Sequence, residues 1–175
     1  MKKSISIWSF YGNWNLEEKL RLAKAAGYEG CEIDLSADGP VNLGSTAADL
    51  KAVRALAEKR GVALSGLATG LYWGANACSE DPAVRQKAAA ILKKQIECAS
   101  TLGIDAILVV PGAVGVDFIP GGEVVPYQLA YERAKEFIAA AIPAAEKAGV
   151  TICIENVWNK FLLSPLEMKA FIDSF

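Results

Sequence analysis

Residues 25–35 read AAGYEGCEIDL, and this stretch contains the pattern that decides the fold. Gly27 closes a helical segment, since glycine takes the left-handed conformation of a helix end, and an apolar strand segment follows at once. The same order recurs at Gly61, Gly103 and Gly149, at intervals of 34, 42 and 46 residues. Such intervals fit one strand, one helix and two loops, so the chain is predicted to alternate strands and helices.

This alternation predicts a parallel α/β fold of the (β/α) TIM-barrel type. No nucleotide-type glycine loop follows the first strand, which favours a barrel over a doubly wound sheet. The fourth of the five predicted helices is expected to bend or break near Pro143, which cannot donate a backbone hydrogen bond. The predicted strands are Ser4–Ser9, Gly30–Leu35, Ala63–Leu67, Ala106–Val110 and Thr151–Glu155.

The length predicts an incomplete barrel. A complete eight-unit barrel takes about 250 residues, whereas this chain has 175. We therefore expect about five of the eight βα units, forming a single partial barrel domain over residues 1–175. Such a barrel has two open sheet edges and an apolar interior that is partly wet. A homo-oligomer is predicted, because copies can pair edge to edge.

The composition excludes several functions. The chain has 18 basic and 20 acidic residues, so no basic surplus is available to hold nucleic acid or an anionic membrane. It has no histidine, which excludes a Ser-His-Asp triad, a Cys-His pair and histidine-bound zinc built from this chain alone. No apolar run is long enough for a membrane span, and the four cysteines show no CxxC spacing. We expect a cytoplasmic protein with buried free thiols and no nucleic-acid or membrane partner.

Candidate catalytic residues follow from the carboxyl ends of the strands, where barrels of this type hold their active sites. Alternation in the fifth strand places Glu155 on the face opposite Ile152 and Ile154, so that it points into the barrel mouth. The same alternation sends Glu32 and Asp34 inward from the second strand. Inward carboxylates are costly unless they are paired or bind a cation. Glu32 is predicted to bind substrate, with simple pairing inside a polar layer as the alternative for it and for Asp34.

Four stretches of the chain resemble one known family: residues 25–33, 102–105, 109–112 and 152–156. They are similar, in the same order, to the xylose-isomerase-like barrels of sugar phosphate isomerases and epimerases. The resemblance implies a divalent metal ion, manganese first, with magnesium, cobalt and zinc as alternatives. It also implies that Glu155 is both a metal ligand and the carboxylate that moves a proton through an enediolate. The family's other ligands would follow Phe175, so the 175-residue chain alone is expected to bind metal weakly and to be inactive.

Three alternatives to an isomerase or epimerase stay open. A hydro-lyase of the inosose dehydratase type shares the barrel and the metal. A zinc-dependent apurinic endonuclease belongs to the same superfamily, but Val110 stands where that enzyme has a histidine, and the chain is acidic. A catalytically incomplete barrel fragment is compatible with an isomerase lineage.

Further substrate-binding candidates lie in the loops after the strands. Trp8 ends the first strand and Trp73 follows the third, where either ring suits the wall of a sugar site, with core packing as the alternative. Lys160 is placed to neutralise an enediolate or a phosphate, with plain solvent exposure as the alternative. Residues 159–161 resemble the Asn-Arg-Phe of ketose 3-epimerases, but Leu162 stands where those enzymes have a substrate-binding glutamate. The predicted substrate is a small sugar or sugar phosphate.

Overall fold

The computed structural model describes residues 1–175, in which five strands form one parallel sheet in the order β1-β2-β3-β4-β5. The strands are β1 (Ser4–Ser6), β2 (Gly30–Leu35), β3 (Ala63–Thr69), β4 (Ala106–Val109) and β5 (Thr151–Ile154). The helices are α1 (Leu16–Ala25), α2 (Ala47–Arg60), α3 (Pro82–Leu102), α4 (Tyr127–Ala148) and α5 (Pro165–Ile172). Each strand is followed by a helix, so the barrel-type α/β fold with five βα units is confirmed.

The ends of the helices follow the signals in the sequence. The Asn15 side chain accepts a hydrogen bond from the Glu18 amide at 2.9 Å and caps α1. At the other ends, α2, α3 and α4 stop at Gly61, Gly103 and Gly149, whose φ angles are 65°, 76° and 66°. A side chain in this left-handed conformation is strained, which is why glycine recurs there and marks the start of each following strand.

Several predicted element boundaries differ from the structure. β3 ends at Thr69 rather than Leu67, β4 at Val109 rather than Val110, and β5 at Ile154 rather than Glu155. The first strand ends at Ser6 rather than Ser9, because Ile7–Ser9 turn into a 3-10 helix. Helix α4 does not break at Pro143 but runs through it to Ala148. The proline removes one backbone hydrogen bond, and Ile138 and Ala145 on either side of it are buried against the sheet, so packing keeps the helix continuous.

The two faces of the sheet differ in chemistry. The face toward the helices is apolar, with Ile33, Leu67 and Ile107 in register and almost fully buried. The opposite face, called the inner face below, is mostly small and polar: Ser6, Glu32, Asp34, Gly66, Ala68, Leu108 and Cys153. The expectation of an apolar interior is therefore wrong over most of this face. Its strands can meet water without exposing many hydrophobic side chains.

β1 and β5 are the edge strands, since each pairs with one neighbour only. The backbone groups on their outer sides have no partner strand, as expected for a barrel that stops after five units. None of the helices combines the length and the apolar character needed to cross a bilayer.

The buried side-chain amide of Gln95 connects β3 and β4 in the middle of the sheet. β3 and β4 share a single register pair, Leu67 with Ile107. The fully buried Gln95 of α3 donates from Nε2 to the carbonyls of Leu67 at 2.7 Å and Leu108 at 2.9 Å, and its Oε1 accepts from the Tyr72 hydroxyl at 2.9 Å. The side chain thus supplies hydrogen bonds between two strands whose own ladder is short.

All four cysteines are free, as predicted, but they are not all buried. Cys31, Cys78 and Cys98 are buried, and burial raises the pKa of the Cys31 thiol to about 11. Cys153 is exposed on the inner face, which corrects the expectation for that residue.

Candidate active site

Glu32 of β2 lies on the inner face, beside Gly66 of β3, which has no side chain. A Cβ added to Gly66 on the neighbouring strand would lie 3.3 Å from Glu32 Oε2, so glycine leaves room for the carboxylate. Partial burial raises the pKa of Glu32, and the like charge of Glu155 raises it further by a smaller amount. The Ser6 hydroxyl beside it lowers the pKa in part, although Ser6 Oγ has no partner in full hydrogen-bond geometry.

Glu155 follows the last residue of β5 and is exposed at the carboxyl edge of the sheet. Its amide donates to the Val109 carbonyl at 3.0 Å, which extends the β4–β5 pairing to this residue. Because the side chains of Thr151, Cys153 and Glu155 alternate with Ile152 and Ile154, the Glu155 carboxylate shares the inner face with Glu32. The structure therefore brings together the two glutamates that the sequence singled out.

Trp8 and Trp73 line one cavity of about 260 Å³ at the carboxyl ends of β1, β2 and β3. Asp34 and Ser36 lie in the same wall, so the cavity is part apolar and part polar. Trp8 is 55% exposed, which rules out core packing as its role. The sequence placed these two rings after the first and third strands, and in the structure both line the same cavity.

Lys160 lies away from that cavity. Its ammonium pairs with the carboxylate of Asp117 in the long loop between β4 and α4, and both side chains are largely exposed. The pair lines a second cavity, of about 420 Å³, together with Phe118, Val157, Trp158 and Leu163. The positive charge of Lys160 is thus already compensated, which the sequence did not predict.

Two asparagines hold the loops of the site together, and neither was predicted to do so. Asn76, in the loop after β3, donates to the Ala113 carbonyl at 3.0 Å and accepts from the Ala113 amide at 2.9 Å. The fully buried Asn159, in the loop after β5, donates to the Gly112 carbonyl at 2.8 Å. Gly112 has φ 149° and a Cβ there would lie 2.0 Å from Cys78 Sγ, so only glycine fits between these loops. The loops after β3, β4 and β5 are therefore one connected body.

Backbone hydrogen bonds hold the two ends of the loop between β4 and α4 together. The Val125 amide donates to the Val114 carbonyl at 2.8 Å, and the Val114 amide donates to the Asn159 carbonyl at 3.0 Å. Beneath the loop is a cavity of about 230 Å³, whose lining includes Trp73 and Glu123. The loop covers the ends of β3 and β4 on the side where the candidate residues lie.

The residues of this chain do not form a metal site by themselves. No group of three or more aspartate, glutamate or cysteine side chains is close enough together to hold a cation, and histidine is absent. Glu155 offers one exposed carboxylate, whereas divalent cations take several oxygen or nitrogen donors.

A parallel βα sheet with its polar residues gathered at the carboxyl ends of the strands is the architecture of a TIM-barrel enzyme. A family model described as a xylose isomerase-like TIM barrel matches residues 20–175, and the chain belongs to that family. The comparison with curated protein sequences gave no match.

Solved structures share the fold. A D-psicose 3-epimerase crystallised in the presence of D-fructose has a TM-score of 0.80 at 23% identity over 99% of this chain. A D-psicose 3-epimerase from Clostridium cellulolyticum H10 has 0.79 at 19% identity, and a 3-keto-D-glucoside 4-epimerase from E. coli has 0.73 at 15%, each over 99% of this chain. The chain spans 59% of the length of the two psicose epimerases and 64% of the glucoside epimerase.

Proposed function

We propose that this protein is a sugar isomerase or epimerase that exchanges a proton on the carbon beside a carbonyl, with Glu155 as the acid–base carboxylate. The observation that carries the proposal is the placement of Glu155 at the carboxyl end of β5, on the same inner face as Glu32 of β2, in a chain of the xylose isomerase-like family. The neighbouring structures, which are named as sugar epimerases, support the same class of substrate.

The chemistry assigned to the two glutamates follows from their environments. The Glu155 carboxylate takes the proton beside the carbonyl, the C–H electron pair forms the carbon–carbon double bond of the enediolate, and the carbonyl π electrons pass to oxygen, which becomes negatively charged. Return of a proton to carbon completes the exchange. Because its pKa is raised, Glu32 retains a proton to higher pH than an ordinary glutamate and can donate a hydrogen bond to a substrate oxygen.

Trp8 and Trp73 are proposed as the walls that hold the sugar ring. Aromatic side chains present a flat apolar surface to the C–H groups of a sugar, while Asp34 in the same cavity can accept from hydroxyls. Lys160 is not proposed as an anion-binding residue, because Asp117 already balances its charge.

Glu155 is the only residue of this chain that we propose as a ligand of a divalent ion. Such an ion, manganese first, would polarise the carbonyl, and its other ligands would come from outside these 175 residues, since the chain supplies no cluster of three. No step is assigned to the ion, and the 175-residue chain alone is expected to bind it weakly.

The class of reaction is tested by product analysis. The protein, expressed from its own reading frame, is incubated with D-fructose, D-psicose, D-tagatose and inosose, and the products are separated by chromatography. Interconversion of sugars of equal mass supports the proposal. Loss of water from inosose, with no interconversion of the ketoses, would assign a hydro-lyase and overturn it.

A further inference from the structure

We infer that the site accepts a sugar bearing a second ring, a disaccharide or other glycoside, and that the second ring binds between Phe118, Trp158 and the Lys160–Asp117 pair. This inference rests on the proposed function, since it names the substrate class of the same site. The second ring's place is called the outer subsite below.

A row of aromatic rings leads from the first cavity to the outer subsite. The Trp73 and Phe118 ring centroids are 5.1 Å apart, and those of Phe118 and Trp158 are 6.1 Å apart, both pairs meeting edge to face. Phe118 is 51% exposed and Trp158 is 81% exposed. Large exposed aromatic side chains grouped in one patch mark binding surfaces, because leaving them in water is unfavourable.

The cavity beside the first one leaves room for a second ring. Trp8 and Trp73 line a space of about 260 Å³, and Phe118 and Trp158 line one of about 420 Å³. Binding sites for small molecules range from about 300 to 1,000 Å³. The space lined by Phe118 and Trp158 lies within that range by itself. The contact between the Trp73 and Phe118 rings links the two spaces at the end of the sheet where the strands have their carboxyl ends.

The polar groups of the outer subsite suit neutral hydroxyls. The Lys160 ammonium and the Asp117 carboxylate are 54% and 84% exposed, so both retain hydrogen-bonding capacity toward a ligand. Together they carry no net charge. A phosphate would meet the Asp117 carboxylate as well as the lysine, whereas a sugar hydroxyl can donate to one and accept from the other.

The backbone of this segment is held in a costly conformation. Lys160 and Leu162 are the two non-glycine residues with positive φ, each at 53°, and both follow Glu155 closely in the chain. Non-glycine residues in this left-handed conformation are strained, and strained residues concentrate at functional sites. The fully buried Phe161 and Leu162 and the hydrogen bond from the Leu162 amide to the Tyr127 hydroxyl hold the segment, which leaves Trp158 and Lys160 outside.

The test compares two ketoses that differ by one ring. Lactulose and D-fructose are titrated into the protein, expressed from its own reading frame, and tryptophan fluorescence and calorimetry report binding. We expect lactulose to bind more tightly than D-fructose. Trp158→Ala is expected to weaken lactulose binding about tenfold more than D-fructose binding, in line with the energy of one aromatic contact. Leu166→Ala is the matched control, because Leu166 is 82% exposed and should leave both affinities unchanged.

The outcomes separate this inference from the proposed function. Binding and proton exchange with D-fructose but none with lactulose would overturn the two-ring substrate and leave the isomerase proposal standing. If Trp158→Ala weakens the binding of lactulose and of D-fructose by the same factor, the two-ring substrate is also overturned. If Trp158→Ala instead abolishes self-association and changes neither affinity, the patch is an interface between copies and the outer subsite is wrong. A protein that binds neither sugar contradicts both proposals.

Discussion

The charge of Glu155 raises the pKa of Glu32 across the inner face of the sheet. The two residues belong to β2 and to the end of β5, strands separated by two others. Both side chains lie on the inner face, so the two like charges act on each other across the intervening strands. This interaction helps Glu32 to keep its proton to a higher pH than an ordinary glutamate, which suits a group that takes part in acid–base chemistry.

Replacing Glu155 is expected to lower the pKa of Glu32. In Glu155→Gln the like charge is gone, but the larger cause of the raised pKa, partial burial, remains. The Glu32 carboxyl should therefore titrate between its wild-type value and the ordinary 4.5. Carbon-13 NMR of glutamate-labelled protein measures this. An unchanged Glu32 titration in the variant would show that the two carboxylates do not interact.

The raised pKa predicts how Glu32 affects stability with pH. Because the folded state favours the protonated carboxyl, its stabilising contribution is full below the unfolded value near 4.5 and is lost as the pH rises through the folded pKa. Glu32→Gln keeps the neutral form at every pH. Wild type should therefore lose stability relative to Glu32→Gln as the pH rises above 4.5. Urea denaturation at several pH values measures the difference between the two free energies of unfolding. A difference that is constant with pH would contradict the assignment.

Gln95 is expected to be a major stabilising residue. Gln95→Leu removes the three hydrogen bonds that the Gln95 amide makes with the carbonyls of Leu67 and Leu108 and with the Tyr72 hydroxyl. Each such bond contributes about 1 kcal/mol, so the free energy of unfolding should fall by several kcal/mol. Tyr72→Phe removes a single hydrogen bond and serves as the control, with a loss of about 1 kcal/mol. A loss in Gln95→Leu no larger than in Tyr72→Phe would refute the bridging role.

Asn159 is expected to hold the loop between β4 and α4. Asn159→Ala removes the bond to the Gly112 carbonyl and leaves a buried acceptor, at a cost of about 1–3 kcal/mol. Hydrogen exchange at the Val114 and Val125 amides should become faster than in wild type. Asn156→Ala, at an exposed position three residues earlier, is the control and should change neither quantity. Unaltered exchange in Asn159→Ala would mean that the loop is held by other contacts.

The unpaired edge of β5 predicts self-association of the 175-residue chain. Thr151 is exposed on this strand, and a lysine there should oppose pairing between edges. Sedimentation velocity is expected to show dimers or larger species for the wild-type chain and more monomer for Thr151→Lys. Ala140→Lys, on the exposed side of α4, is the control. A wild-type chain that stays monomeric at high concentration would show that the open edges are tolerated.

The sequence predicted the features that depend on local chemistry. Glycines at helix ends, alternating apolar residues and capping side chains such as Asn15 are local signals, so the five βα units and the inward direction of Glu32 and Glu155 could be predicted. The contacts of Asn76, Asn159 and Gln95 could not. Each joins residues that are distant in the chain, and an asparagine or glutamine gives no sign of whether it faces solvent or a buried carbonyl. The pairing of Lys160 with Asp117 was missed for the same reason.

The central claim, that Glu155 moves a proton on a sugar, is tested most directly by isotope exchange. The protein expressed from its own reading frame is incubated in D₂O with D-fructose and with lactulose, and proton NMR follows the signal of the carbon beside the carbonyl. The account predicts exchange that falls about 10²- to 10⁴-fold in Glu155→Gln, with an unchanged fold by circular dichroism. Glu29→Gln, an exposed glutamate at the opposite end of the sheet, should exchange at the wild-type rate. Wild-type exchange in Glu155→Gln would contradict the account.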